Sequence, residues 1–152
     1  GRSDWAVHVA LASDHSPAVG AVCLPSLGKT FSTLQPEAPP APSEQIRVIC
    51  SRTRPCPVAE FISKQLGGEL LFMGSAGAKA MAVVAGDADI YAHTGGQYEW
   101  DNCAPVAVAS AAGVHTSRLD GTPLRYNQSD TYVPDLLVCR KELADAVLTL
   151  LN

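Results

Sequence analysis

Four prolines, Pro36, Pro39, Pro40 and Pro42, fall within residues 35–44. Neither a helix nor a central strand can run through them, because each lacks a backbone donor and has its φ fixed. The segment is a boundary or an exposed crossover, and the chain on its two sides has to fold as separate runs. Those runs differ in rhythm. In residues 5–11, Trp5, Val7, Val9 and Leu11 alternate with smaller or more polar residues, the period of a strand with one face on a core. Turns at Asp14-His15-Ser16-Pro17 and Pro25-Ser26-Leu27-Gly28 set off two more strands, over residues 18–24 and 29–34. Three strands joined by short turns make an antiparallel meander. His8 and His15 have no partner at ligand spacing and read as strand and turn residues.

Beyond the prolines, strands and helices alternate. Short apolar runs predict strands over residues 46–50, 69–73, 88–92, 114–116 and 136–139. A helix is expected over 57–66, with Val58, Phe61, Ile62 and Leu66 on one face and Gly67-Gly68 as its stop. Others are expected over 76–84, from Asp101 to 112, and over 141–151. The fold class is therefore α/β, with antiparallel strands followed by a strand-helix alternating unit in layers. Residues 1–42 are assigned to part of an antiparallel sheet layer, and residues 43–152 to a carboxy-terminal α/β/α unit. A three-stranded meander needs its apolar face covered. The abrupt start at Trp5 and the missing initial methionine lead us to expect that part of this sheet, in an amino-terminal half, precedes Gly1.

Composition removes several function classes. With 47 % apolar and 17 % charged residues in 152, the chain can bury a core rather than stay disordered. Its net charge of −4 and lack of any Lys/Arg run give no support to a nucleic-acid surface. No apolar run has membrane-spanning length, and no secretory leader pattern is legible. Cys23, Cys50, Cys56, Cys103 and Cys139 form neither a CxxC pair nor a zinc spacing. They are expected as thiols, mostly buried, in a reducing compartment such as the cytoplasm.

Three stretches carry candidate chemistry. In Glu99-Trp100-Asp101-Asn102-Cys103-Ala104 an acid follows an aromatic anchor and opens an Ala/Val-rich helix, with Pro105 early enough for a first turn. Asp101 reads either as an ordinary N-cap or as an oxygen ligand held for a hard cation. Gly74-Ser75-Ala76-Gly77-Ala78-Lys79 follows a strand and opens a helix. It is either a tight turn with a solvated lysine or a phosphate cradle of backbone N–H groups with added charge; the spacing is not that of a Walker loop. Ser51-Arg52-Thr53-Arg54 ends another strand with two guanidiniums and two hydroxyls, suited to phosphate oxygens or simply solvated. Strand ends of an α/β layer often gather in one crevice. Asp87 and Asp89 are metal ligands by type, but a Gly-Asp-Ala-Asp turn needs acids only for solubility and local bonding. His93 is positioned to line the cleft.

Together these segments resemble the carboxy-terminal part of the inositol-monophosphatase-like, lithium-sensitive metal phosphatases. Trp100-Asp101-Asn102-Cys103-Ala104 is similar to that family's Trp-Asp-x-Ala-Ala signature. Within the family the likeness is to the CysQ-type 3′-phosphoadenosine-5′-phosphate phosphatases, in a mycobacterial-like wording. Ser51-Arg52 resembles the opening of their Ser-Arg-Ser-His. Gly74-Ser75-x-Gly77-x-Lys79 resembles their Gly-Ser-x-Gly-x-Lys, and Gly121-x-Pro123-Leu124-x-Tyr126 their carboxy-terminal turn. The departures are Ala111-Ala112-Gly113-Val114 in place of Glu-Ala-Gly-Gly, whose glutamate the resemblance implies is an inositol contact, and Arg54 in place of the histidine. The Asp-Pro-x-Asp-Gly-Thr signature and its upstream glutamate are not in these residues.

The resemblance implies a layered α-β-α-β-α sugar-phosphatase fold. It implies hydrolysis of the 3′-phosphate of 3′-phosphoadenosine 5′-phosphate, a by-product of sulfate assimilation, to AMP and phosphate. About two or three Mg²⁺ ions would assist. Asp101 would be a metal ligand and catalytic, and Ser51, Arg52, Gly74, Ser75 and Lys79 would bind substrate. The missing amino-terminal half would be required, and a homodimer is expected, with no nucleic-acid or membrane partner. Inositol monophosphatase, fructose-1,6-bisphosphatase and an inactive phosphate-binding fragment are the alternatives.

Overall fold

The change of rhythm at the prolines becomes a change of sheet. The computed structural model describes residues 2–54 and 56–152; Gly1, where the expected break in the chain falls, lies outside them. Strands β1 (Val7–Ser13), β2 (Ser16–Leu24) and β3 (Lys29–Ser32) form an antiparallel sheet in the order β1-β2-β3. Then follow β4 (Arg47–Ser51), α1 (Pro57–Gln65), β5 (Glu69–Met73), α2 (Ala76–Ala85), β6 (Ile90–Tyr98), α3 (Glu99–Ala111), β7 (His115–Ser117), β8 (Tyr132–Cys139) and α4 (Ala144–Leu151). A 3₁₀ turn at Lys141–Leu143 takes the start of the helix expected from residue 141.

The second sheet has five strands in the order β5-β4-β6-β8-β7. β4 is parallel to β5 and β6, whereas β8 runs antiparallel to β6 and β7. Side chains alternate across this sheet, and each face has its own core. Val48, Cys50, Ile90, Ala92, Leu137 and Cys139 pack on α1 and α4. Ile49, Tyr91, Leu136 and Val138 pack on α2 and α3, and this core continues to Val22, Leu24 and Phe31 of the first sheet. The layers therefore run α, β, α, β, a sandwich in which α2 and α3 lie between the two sheets.

Three details differ from expectation. Trp5, Val7, Val9 and Leu11 face away from this core, with 50 %, 49 %, 69 % and 62 % of their surface exposed. The opposite, small-residue side of the sheet meets α3, because the helix comes too close for anything larger. A Cβ on Gly20 of β2 would lie 2.9 Å from the Ala104 carbonyl oxygen and from the Ala107 Cβ. On α1, Ala59, Ile62 and Ser63 are buried, while Phe61 is exposed. Pro105 lies in the second turn of α3 rather than the first, since the helix begins at Glu99; the Asp101 carbonyl therefore lacks its helical donor.

Asp89, an open candidate for metal binding, is a structural ion. It is buried, with Arg47 Nε and Arg140 Nε donating to its two oxygens at 3.1 and 2.7 Å and the Arg47 N–H donating at 2.8 Å. Burial would raise its pKa, but the hydrogen bonds from Arg47 and Arg140 outweigh this and hold the carboxyl below the usual range. Arg140 also donates to the Pro40 carbonyl at 2.8 Å, so the cluster ties the proline segment to β4 and the end of β8. Asp89→Ala would leave two part-buried or buried guanidiniums without their anion. It should cost about 3–5 kcal/mol of unfolding free energy, read by urea denaturation; a loss below about 1 kcal/mol would contradict a structural role.

Candidate active site

β4 and β5 end side by side, with Ser51 in register with Met73. The loops that follow them open into one cleft of about 220 Å³ with Ser51, Arg54, Ser75, Lys79, His93 and Asp101 on its walls. The gathering expected of parallel strand ends is thus present. The far wall is made by β6, which runs six residues beyond its expected end. A bulge between Thr94 and Gln97 allows this, with Gly95 and Gly96 at φ of 68° and 73°. Short polar and glycine residues hid this extension in the sequence. Arg54 reaches across to donate from Nη1 to the Gly96 carbonyl at 2.9 Å.

Asp101 is the third residue of α3, and its Oδ2 accepts the Tyr98 N–H at 2.9 Å. This meets the sequence reading of a carboxylate fixed at a helix start. The neighbouring aromatic is no core anchor. Trp100 is exposed and stacks on Tyr98, centroid to centroid 4.8 Å.

Lys79 is only 4 % exposed. Its Nζ donates to the Ser75 carbonyl at 2.8 Å and lies 5.2 Å from the Tyr91 ring centroid. Burial pushes its ammonium down to about 8. Ser75 starts α2 at φ 50°, a conformation uncommon for a residue with a Cβ, and its hydroxyl accepts the Ala78 N–H at 3.3 Å. Arg52 points elsewhere: it pairs with Asp4, whose carboxylate also accepts the Gly74 N–H. That N–H, together with Arg52, holds the Asp4 carboxyl below its usual range. Of the six expected site residues, Asp101, Ser51, Gly74, Ser75 and Lys79 line the cleft and Arg52 does not. Thr53, Arg54, His93, Gly96 and Gln97 line it as well. Arg54 was one of the two guanidiniums of the Ser51-Arg52-Thr53-Arg54 stretch, but was not among the expected substrate contacts. Burial pushes the His93 imidazole down toward its neutral form, and its Nε2 is buried without a partner.

Ala111 sits ten residues along α3 from Asp101, about 15 Å at the helical rise. The expected inositol-contact position is therefore far from the cleft, and alanine there cannot select among substrates. As for metal, Asp101 is the one carboxylate on the cleft wall among the described residues. Among the described residues no group of three His, Cys, Asp or Glu could hold an ion. A Mg²⁺ ion takes about six oxygens in octahedral array, so this donor set fits one ligand position and not a whole site.

The sequence profile of the inositol monophosphatase family matches residues 1–152. The chain belongs to that family. It is 48 % identical over 157 residues to a 3′-phosphoadenosine 5′-phosphate phosphatase of Mycobacterium bovis, covering 97 % of this chain and 59 % of the relative. The Mycobacterium leprae protein of the same name is 46 % identical over 161 residues, with the same coverage. The chain thus spans about three-fifths of the length of these curated relatives. The crystal structure of CysQ from Bacteroides thetaiotaomicron superposes with a TM-score of 0.77 at 25 % identity, over 91 % of this chain and 64 % of that one. An inositol monophosphatase from Anabaena gives 0.76 at 23 %, over 96 % of this chain and 63 % of that one, which speaks for the fold. No described helix is long and apolar enough to cross a membrane.

Lys79 yields a pH signature. Folded, its ammonium loses its proton near pH 8, and unfolded near 10.5. Between these values the unfolded chain binds more protons, so the lysine's contribution to stability rises with pH. Relative to Lys79→Met, the wild-type chain should gain about 2–3 kcal/mol of unfolding free energy between about pH 7.5 and about pH 10. Urea denaturation of both proteins at the two pH values measures it, and parallel profiles would show a solvated ammonium.

Proposed function

We propose that this chain is the carboxy-terminal part of a Mg²⁺-dependent phosphomonoesterase. The substrate is 3′-phosphoadenosine 5′-phosphate, and the products are AMP and phosphate. Water adds to the phosphorus, the bond to the ribose 3′-oxygen breaks, and that oxygen leaves with a proton. The observation that carries the reading is the cleft itself, where, among the described residues, Lys79 and Arg54 share the walls with a single fixed carboxylate, Asp101. The names of the mycobacterial relatives support the nucleotide over inositol or fructose phosphates.

Lys79 and Arg54 bring positive charge to phosphate oxygens, Arg54 through a planar fork suited to them. Ser51 and Ser75 border the same space, and Gly74 keeps the turn close to the ligand. Arg52 acts from behind, holding Asp4 against the Gly74 loop. Asp101 offers one anionic oxygen to a divalent cation. When bound, such ions, about two or three, supply Lewis-acid stabilisation and an acidified water. Their remaining ligands come from the amino-terminal half of the family, without which the chain binds phosphate groups and hydrolyses nothing. Five unpaired thiols, four of them buried, suit a reducing compartment, the cytoplasm. A homodimer is part of the same reading.

The test uses the complete enzyme and compares phosphate release from adenosine 3′,5′-bisphosphate, inositol 1-phosphate and fructose 1,6-bisphosphate at saturating Mg²⁺. The nucleotide should be preferred. Asp101→Asn should keep its metal-free melting temperature, since asparagine accepts the Tyr98 N–H equally well, and lose about a thousandfold in rate. Preference for inositol 1-phosphate would overturn the substrate assignment, and near-wild-type release by the Asn variant would remove Asp101 from the metal site.

A further inference from the structure

Directly behind the cleft, four buried side chains form one chain of hydrogen bonds. Tyr126 Oη donates to Asn102 Oδ1 at 3.0 Å, Asn102 Nδ2 donates to Gln97 Oε1 at 2.8 Å, and Gln97 Nε2 donates to Tyr91 Oη at 2.7 Å. All four residues are at most 4 % exposed. Each amide uses both its ends, as buried polar groups must. Apolar side chains would fill this space at less desolvation cost, so the polar chain is informative about position rather than burial.

One end of it meets the Lys79 wall of the cleft, and its middle adjoins the Asp101 wall. At one end, the Tyr91 ring carries the Lys79 ammonium. In the middle, Asn102 follows Asp101 directly on the first turn of α3. At the other end, Tyr126 belongs to a turn clamped on the start of the same helix. Glu99 accepts the Asn127 and Gln128 N–H groups at 2.7 and 2.9 Å, and the Tyr126 N–H donates to the His15 carbonyl at 3.0 Å. The Gly121-x-Pro123-Leu124-x-Tyr126 stretch thus reaches the site through a buried phenol, without lining the cleft.

We propose that Tyr126, through Asn102 and Gln97, is a positioning residue that fixes the Asp101 carboxylate and the Lys79 ammonium relative to one another. This rests on the phosphatase reading above and adds a residue to it. With the phenol removed, Asn102 Oδ1 is unpaired, the amides lose their common orientation, and the first turn of α3 is free to shift against β6. The fold keeps its apolar core, so the effect is on the site more than on the protein.

The experiment compares wild type, Tyr126→Phe and Asn102→Ala in the complete enzyme, with Arg118→Gln as a control that breaks the distant Arg118–Asp135 pair. Two readouts are taken well below the melting temperatures: the Mg²⁺ concentration for half-maximal phosphate release, and the Mg²⁺ titration of Trp100 fluorescence, with Trp5 and every other tryptophan of the complete enzyme replaced by Phe in every protein. For Tyr126→Phe and Asn102→Ala both midpoints should rise about tenfold, with the rate at saturating Mg²⁺ little changed. Arg118→Gln should lower the melting temperature and leave both midpoints where they were. Unchanged midpoints in a folded Tyr126→Phe or Asn102→Ala protein would overturn the proposal, as would an equal rise in Arg118→Gln. A wild-type enzyme that binds Mg²⁺ but releases no phosphate would overturn the phosphatase reading, while the fluorescence midpoints still decide the positioning role. No metal response in either readout would overturn both.

Discussion

Helix α3 is buried between two sheets, and the rest of the structure is arranged to permit it. From Asn102 to Ala109 every residue is buried, which only small side chains allow at such close approach. Gly20 on β2 is the most direct witness, since a single added carbon there would collide with the helix. A helix held from both sides cannot rotate or slide without disturbing both cores. Its first turn is therefore a rigid mount, and Asp101 sits on that mount. The N–H of Tyr98 keeps the carboxylate aimed without drawing on a flexible loop.

The opposite wall of the cleft has a different physical basis. Lys79 is placed inside the protein, where carbonyls and an aromatic face replace water only partly, and its lowered pKa records that deficit. An incoming phosphate dianion supplies the missing counter-charge. Binding then restores the protonated form, so the cleft is set up for an anion rather than for a neutral sugar. Arg54 spans the cleft mouth to the Gly96 carbonyl, an acceptor that a phosphate oxygen can replace.

Much of this was legible in the residues. β5 falls on its expected bounds, and the three short loops of candidate chemistry meet as strand-end reasoning requires. What escaped had specific causes. The side of β1 that packs inward is the small-residue side, because helix approach, not side-chain size, chose the face. β6 was cut short because Thr94-Gly95-Gly96 looks like a turn and is instead a bulge within a continuing strand. Arg52 and Arg54 are chemically equal in sequence, and only Asp4, forty-eight positions away, decides which one turns from the cleft. Gln97, Asn102 and Tyr126 carry no motif that marks them as a connected chain; contacts across 24 residues are not visible in a periodic pattern. Ala111 was misleading, since its place in a motif does not bring it near the cleft.

The account turns on one asymmetry: among the described residues, a cleft rich in positive charge has a single carboxylate. Phosphate release from adenosine 3′,5′-bisphosphate by residues 1–152 alone, with saturating Mg²⁺ and the complete enzyme alongside, tests it most directly. The account predicts turnover by the complete enzyme and none above background by residues 1–152. Substantial metal-dependent turnover by residues 1–152 would contradict it, because one carboxylate would then be enough.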